Sequence, residues 1–129
     1  MDVLMQLFYE KELNKIINDC NELKYAKKEE ISKIINYFHE IEFDDNMLRY
    51  LILMNPSFLT ISSDKIIELI KALKEYGVED LDMCFYLYPK ILNKSVYEID
   101  NFYIKKNQEG YNNDDINTIL EVEPYLIDK

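Results

Sequence analysis

The sequence predicts an all-α fold: a short right-handed-type α-solenoid of about three helix pairs, about seven helices in all, with a leading helix covering its N-terminal end. Three observations predict it. Pro56, Pro89 and Pro124 stand 33 and 35 residues apart, and self-similarity at such a period marks stacked repeats. The only two glycines, Gly77 and Gly110, each follow a proline by 21 residues. Between these markers apolar residues recur at i, i+3, i+4 and i+7, one face of a helix, and so few glycines and prolines leave little turn chemistry for hairpins.

The elements follow in order. Leu4, Leu7, Phe8, Leu13, Ile16 and Ile17 predict the leading helix, about 2–19. A first unit, about 21–55, carries Ile31, Ile34, Ile35 and Phe38 on one helix and Met47, Leu48, Leu51 and Ile52 on the next. Glu42 stands there in place of a glycine, and Asp44 or Asp45 caps the second helix. The second unit, about 56–88, opens with Pro56-Ser57-Phe58-Leu59. Ser62 or Ser63 is expected to accept a hydrogen bond from the free amides of a helix bearing Ile66, Leu69, Ile70 and Leu73. Gly77 suits the left-handed residue that ends this helix. A second helix from about Asp80 carries Leu81, Cys84, Phe85 and Tyr88, and Pro89 closes it.

Shifted by 33, the third unit, about 89–127, repeats the plan. Pro89-Lys90-Ile91-Leu92 matches Pro56-Ser57-Phe58-Leu59, Ser95 matches Ser62, and Ile99, Phe102 and Tyr103 take the places of Ile66, Leu69 and Ile70. Two extra residues within Asn112-Asn113-Asp114-Asp115 delay its last helix, which carries Ile116, Ile119, Leu120 and Val122. Lys106 stands where Leu73 stood, a more polar face of the kind expected at a terminal repeat. The three units and the leading helix make one domain, 1–129.

The pattern resembles the mTERF family, the mitochondrial transcription termination factor repeats. In that family each unit has two helices, a glycine between them and a P-x-x-L segment leading onward. Here Pro56-Ser57-Phe58-Leu59 and Pro89-Lys90-Ile91-Leu92 carry the segment, Pro124-Tyr125-Leu126-Ile127 carries it with isoleucine for leucine, and Gly77 and Gly110 lie between paired helices. The resemblance covers about Ile31 to Ile127. It implies a helical-repeat fold and, because known members grip duplex nucleic acid along a basic concave face, a nucleic-acid role.

Composition argues for a different partner. The net charge is −10, from 25 acidic side chains and 15 basic ones, and Arg49 is the one arginine. Affinity for duplexes comes from many Lys or Arg contacts to phosphate, so this sign argues against nucleic acid as the partner. No apolar run approaches the roughly 20 residues that span a bilayer, and the N-terminus lacks a basic, signal-like start, so the chain reads as cytoplasmic. Cys20 and Cys84 read as buried apolar thiols without ligand-like neighbours.

Eleven acids fall at the turns between paired helices: Glu40, Glu42, Asp44 and Asp45 in the first unit, Glu75, Glu79, Asp80 and Asp82 in the second, and Glu109, Asp114 and Asp115 in the third. Stacking would align them into one acidic ridge able to dock a basic protein surface. Their local alternative is helix capping and favourable placement against the macrodipole. Of the eleven tyrosines most fill the core or the grooves between helices; Tyr86 and Tyr97 lie off the apolar stripes and are the aromatic candidates for a partner contact.

Enzymatic signals are thin. His39 is the only histidine, no Gly-rich phosphate loop exists, and Asn112-Asn113-Asp114-Asp115 lacks the spacing and central glycine of a calcium loop. The chain therefore reads as a non-enzyme with no cofactor and no metal. Its composition favours an acidic protein-binding module, in one version a small phage- or mobile-element-encoded, anti-CRISPR-like inhibitor that mimics nucleic acid on a basic, nucleic-acid-handling protein. The alternative is an mTERF-like nucleic-acid-binding or transcription-associated protein using local lysines, which fall in one group per unit: Lys24, Lys27 and Lys28; Lys65, Lys71 and Lys74; Lys90, Lys94, Lys105 and Lys106.

Overall fold

The computed structural model describes residues 2–129, and its regular elements are all helical among those residues. Helices α1 (Asp2–Met5), α2 (Glu10–Asp19), α3 (Lys28–Glu40), α4 (Asp45–Met54), α5 (Ser63–Tyr76), α6 (Leu81–Leu87), α7 (Val96–Gln108) and α8 (Asn113–Val122) alternate with 3-10 turns at Asn21–Tyr25, Pro56–Thr60, Pro89–Asn93 and Pro124–Asp128. No helix of the described residues is long and apolar enough to cross a membrane. By its internal contacts the chain divides into two units, 1–66 and 67–129.

Each 3-10 turn follows a residue driven out of the helical region. Asn55, Tyr88 and Glu123 sit at φ between −140° and −149° with positive ψ, as a following proline ring demands. The proline then opens the turn, where its missing amide needs no partner. Cys20 adopts the same conformation, φ −141° and ψ 86°, although Asn21 follows it. The repeat backbone thus persists in a copy that has lost its proline, with Leu23 buried where Phe58 and Ile91 are buried in the later copies.

The inner turns share one hydrogen-bond pattern. Gly77 and Gly110 have φ of +108° and +103°, and Glu42 has φ 69°. At each site the left-handed residue donates back to the carbonyl three residues earlier, and the next residue to the carbonyl five residues earlier: Phe43 to Phe38, Val78 to Leu73 and Tyr111 to Lys106, each at 3.0 Å. This is the Schellman closure, which pairs carbonyls that a helix end leaves open. Its side-chain contact follows the same residues. Phe43 packs edge-on against Phe38 with centroids 5.1 Å apart, whereas Lys106 lies 5.5 Å over the Tyr111 ring. A cation over an aromatic face replaces the apolar pair at the polar copy.

In the 1–66 unit the predicted leading helix is broken, so the described residues hold eight helices rather than seven. Phe8 folds back, its amide donating to the Leu4 carbonyl, and Tyr9 starts α2 with its amide on the Glu12 carboxylate at 3.0 Å. The Leu7 carbonyl freed by the break is taken by the Arg49 guanidinium, which also reaches Glu12 at 2.7 Å and lies 5.0 Å over the Phe8 ring. The core of this unit centres on Phe38, fully buried, with Phe43 on one side and Phe58 edge-on at 6.0 Å on another.

In the 67–129 unit, α6 and α7 both pack on α8 or its neighbours, around Leu73, Phe85, Ile99, Tyr103 and Leu120. A polar network threads this core. Tyr103 stacks on Tyr76 with centroids 3.7 Å apart, and its hydroxyl donates to Asn117 Oδ1. Asn117 Nδ2 donates to the Tyr76 carbonyl at 2.9 Å, and the Tyr76 hydroxyl donates to Asp100 at 2.6 Å. Burial, then the hydrogen bond to Asp100, pushes the Tyr76 phenol up to about 12. Burial likewise pushes the Cys84 thiol up to about 12; Cys84 is buried, Cys20 half-buried, and both are free.

Candidate nucleic-acid interface

The acids singled out by the sequence are exposed and sit at the inner turns. In the 1–66 unit, Asp44 caps α4 by accepting the Met47 amide at 2.8 Å, Asp45 meets His39 Nε2 at 2.7 Å, Glu40 ends α3 and Glu42 is the left-handed residue. In the 67–129 unit, Asp80 caps α6 through the Met83 amide at 3.1 Å, and Asp82 lies in the first turn of that helix. Asp115 and Asn112 exchange side-chain bonds to each other's amides at the start of α8, with Asp114 beside them. Glu109 lies 3.5 Å from Lys106, while Glu75 and Glu79 flank the Gly77 turn. Negative groups at helix N-termini satisfy free amides and complement the macrodipole. Tyr86 and Tyr97 are 48% and 73% exposed.

Two acids that sequence reasoning passed over act across the repeat. Glu30 of α3 accepts the Ser63 amide at 2.9 Å and the Ser63 hydroxyl at 3.1 Å. Of the two serines expected to cap α5, Ser62 precedes the helix and Ser63 is its first residue and a donor. Glu121 of α8 accepts the amides of Glu79 and Asp80 at 2.8 and 3.2 Å. Spacings of 33 and about 41 residues carry no local signal, so only the packed chain reveals these caps.

The Ser63 amide holds the Glu30 carboxyl below its ordinary value of 4.5, and the Arg49 hydrogen bond does the same for Glu12. A depressed folded value contributes stability that is present above the ordinary carboxylate range and is lost as pH falls through the folded value. Glu30→Gln, which removes that titration, should lower the urea midpoint at pH 7 and flatten its decline between about pH 6 and about pH 3. A variant whose midpoint falls with pH as steeply as the parent's would contradict the assignment.

Some of the lysines share the inner turns, Lys74 beside Glu75 and Lys106 beside Glu109, and others lie elsewhere. Lys27 and Lys28 lie at the N-terminal end of α3 beside Glu29 and Glu30, and Lys24 in the preceding 3-10 turn beside Glu22, about 20 Å along the helix from the acids of the Glu42 turn. That exceeds the Debye length of about 8 Å at physiological salt, so the Glu42-turn acids are screened from these lysines, and Glu22, Glu29 and Glu30 are the acids that share their surface. Lys65, Lys71 and Lys74 are exposed on α5, and Lys90 on the 3-10 turn at Pro89–Asn93. Lys105, Lys106 and Lys94 face a groove of about 280 Å³ between α7 and the turn Pro124–Asp128. Arg49 is committed to Glu12 and Leu7, so the contact to phosphate would rest on lysines. Among the described residues no cluster of His, Cys, Asp and Glu is arranged to hold a metal ion.

Comparison with curated proteins found no match, and neither did comparison with solved structures. Comparison with protein families matches mTERF over residues 2–129. That match overturns the reading of the chain as an acidic, protein-binding inhibitor and favours the nucleic-acid alternative. The physical reason is that net charge is a sum over the whole chain and carries no positions, whereas recognition depends on the local field. With repeated helix pairs, left-handed inner turns and a match spanning the described residues, the chain belongs to the mTERF family.

Proposed function

We propose that this chain is a non-enzymatic, transcription-associated nucleic-acid-binding protein of mTERF type, contacting phosphates through its lysines. The observation that carries the reading is the family match over residues 2–129. Support comes from the exposure of Lys24, Lys27 and Lys28 around the start of α3, which they share with Glu29 and Glu30, and from the exposed lysines of α5. Lysine is a point-charge binder without the bidentate fork of arginine, so affinity should be modest and strongly salt-dependent.

A duplex oligonucleotide titrated at 25 to 200 mM salt, on the order of the range over which phosphate contacts weaken, tests this. Affinity should fall linearly on a log–log plot, with a slope near −0.9 per phosphate contacted, and Lys27→Glu with Lys28→Glu should weaken it further. No shift at the lowest salt with either duplex or single strand would refute the reading.

A further inference from the structure

A groove of the 67–129 unit differs in sign from two other cavities of the chain. Its walls carry Lys94, Lys105, Lys106 and Lys129 against Glu98 and Asp128, so its side chains hold two positive charges in excess on a chain of net −10. A cavity in the 1–66 unit is lined by Asp19 and Glu22 without a base, and another beside Tyr76 by Glu75 and Asp100 without a base. Both acids of the basic groove are already engaged. Asp128 accepts from Lys94 Nζ and from the Tyr88 hydroxyl, and Lys94 holds its carboxyl below the ordinary value. Glu98 accepts the Ser95 amide at 3.1 Å and lies 3.5 Å from Lys94. These bonds fasten the turn Pro124–Asp128 to the start of α7 and consume the charge of Lys94.

What remains facing solvent is the pair Lys105 and Lys129, since Lys106 is held 5.9 Å over the Phe102 ring and 3.5 Å from Glu109. The same groove is lined by the half-buried Leu126 and Ile127 and the buried Phe102, and Asn101 supplies an amide. Ammonium groups flanking an apolar strip match a ligand that alternates charge with a flat apolar body. A volume of about 280 Å³, half open to solvent, is at the small end of ligand pockets. It has room for one nucleotide-sized group, not for a duplex whose bases remain stacked inside.

We infer that this groove is a contact site for single-stranded nucleic acid, in which Lys105 and Lys129 meet backbone phosphates and the half-buried Leu126 and Ile127 receive an unstacked base. The inference rests on the nucleic-acid reading above and adds the strand form and the place. It makes no demand on the lysines of α3.

The test uses the full chain and a fluorescently labelled 12-residue oligothymidylate, read by anisotropy across a salt series. The parent should bind with a steep negative slope. Lys105→Gln with Lys129→Gln should make the slope shallower by about 1.4, two single-strand contacts at about 0.7 each. Lys11→Gln with Lys15→Gln, the same change of charge on α2, should leave it unaltered, and thermal melts should show all variants folded. An unchanged slope in the Lys105/Lys129 variant overturns the inference, as does equal displacement by polyglutamate, which would mark unspecific anion exchange. A parent that binds duplex but not the oligothymidylate overturns this inference alone; one that binds neither overturns the proposed function as well.

Discussion

Gly77→Ala should destabilise the protein by about 2–5 kcal/mol, whereas Gly110→Ala should cost only about 1–2 kcal/mol. Both glycines hold positive φ, so both substitutions incur the left-handed penalty of an L-residue, about 1–2 kcal/mol. They differ in what a new Cβ meets. At Gly110 nothing lies within 4 Å, while at Gly77 the methyl would stand 2.6 Å from Asn117 Nδ2. Asn117 cannot yield freely, because it is 7% exposed and bonded to both the Tyr76 carbonyl and the Tyr103 hydroxyl. Moving it leaves buried polar groups unpaired, which costs about 1–3 kcal/mol.

Urea denaturation of the two variants measures the difference. Equal losses would show that the Asn117 network gives way and that only backbone conformation matters. The same reasoning reverses at Glu42, the one described non-glycine residue with positive φ. Glu42→Gly removes the left-handed penalty at some cost in unfolded-chain entropy and should be neutral to stabilising by up to about 1 kcal/mol.

Phe38→Ala should cost about 3–5 kcal/mol, the usual range for truncating a buried phenylalanine. Phe38 is fully buried and meets Phe43 and Phe58 edge-on, so its removal opens a cavity where the end of α3, the Glu42 turn and the 3-10 turn Pro56–Thr60 converge. Edge-to-face pairs add roughly 0.5–1.5 kcal/mol to simple area burial, and two of them are lost together. Phe38→Leu keeps most of the volume and should recover more than half of the loss. Chemical denaturation followed through the tyrosines reads both variants, and a loss below about 1 kcal/mol in Phe38→Ala would mean the site collapses freely.

Much of this architecture was legible because its signals are local. Proline restricts its own φ and the conformation of the residue before it, and glycine alone adopts positive φ without strain, so Pro56, Pro89, Gly77 and Gly110 announce turns wherever they stand. The capping by Asp44 and Asp80 was legible for the same reason, since each cap reaches only three residues along the chain. Less was legible where a copy lacked its marker. Nothing at Cys20–Asn21 identifies a turn in the proline conformation, and the break between α1 and α2 depends on Arg49 arriving from α4 to take the Leu7 carbonyl.

For the candidate site the division is sharper. Lys94, Lys105 and Lys106 could be named from their grouping, but Lys129 and Asn101 join them only because Asp128 ties the last turn back onto α7. Composition misled on the sign of the partner, since a sum over 129 residues carries no positions. By itself, then, the sequence determined the repeat, its helices and the turns between them, because those depend on φ, ψ and period within a few residues. The tertiary structure alone decided which charges are spent on caps, which stay open to solvent and where an apolar strip lies beside them. Those are properties of residues some 30 to 40 positions apart, and only packing brings them within the few ångströms over which hydrogen bonds and screened charges act.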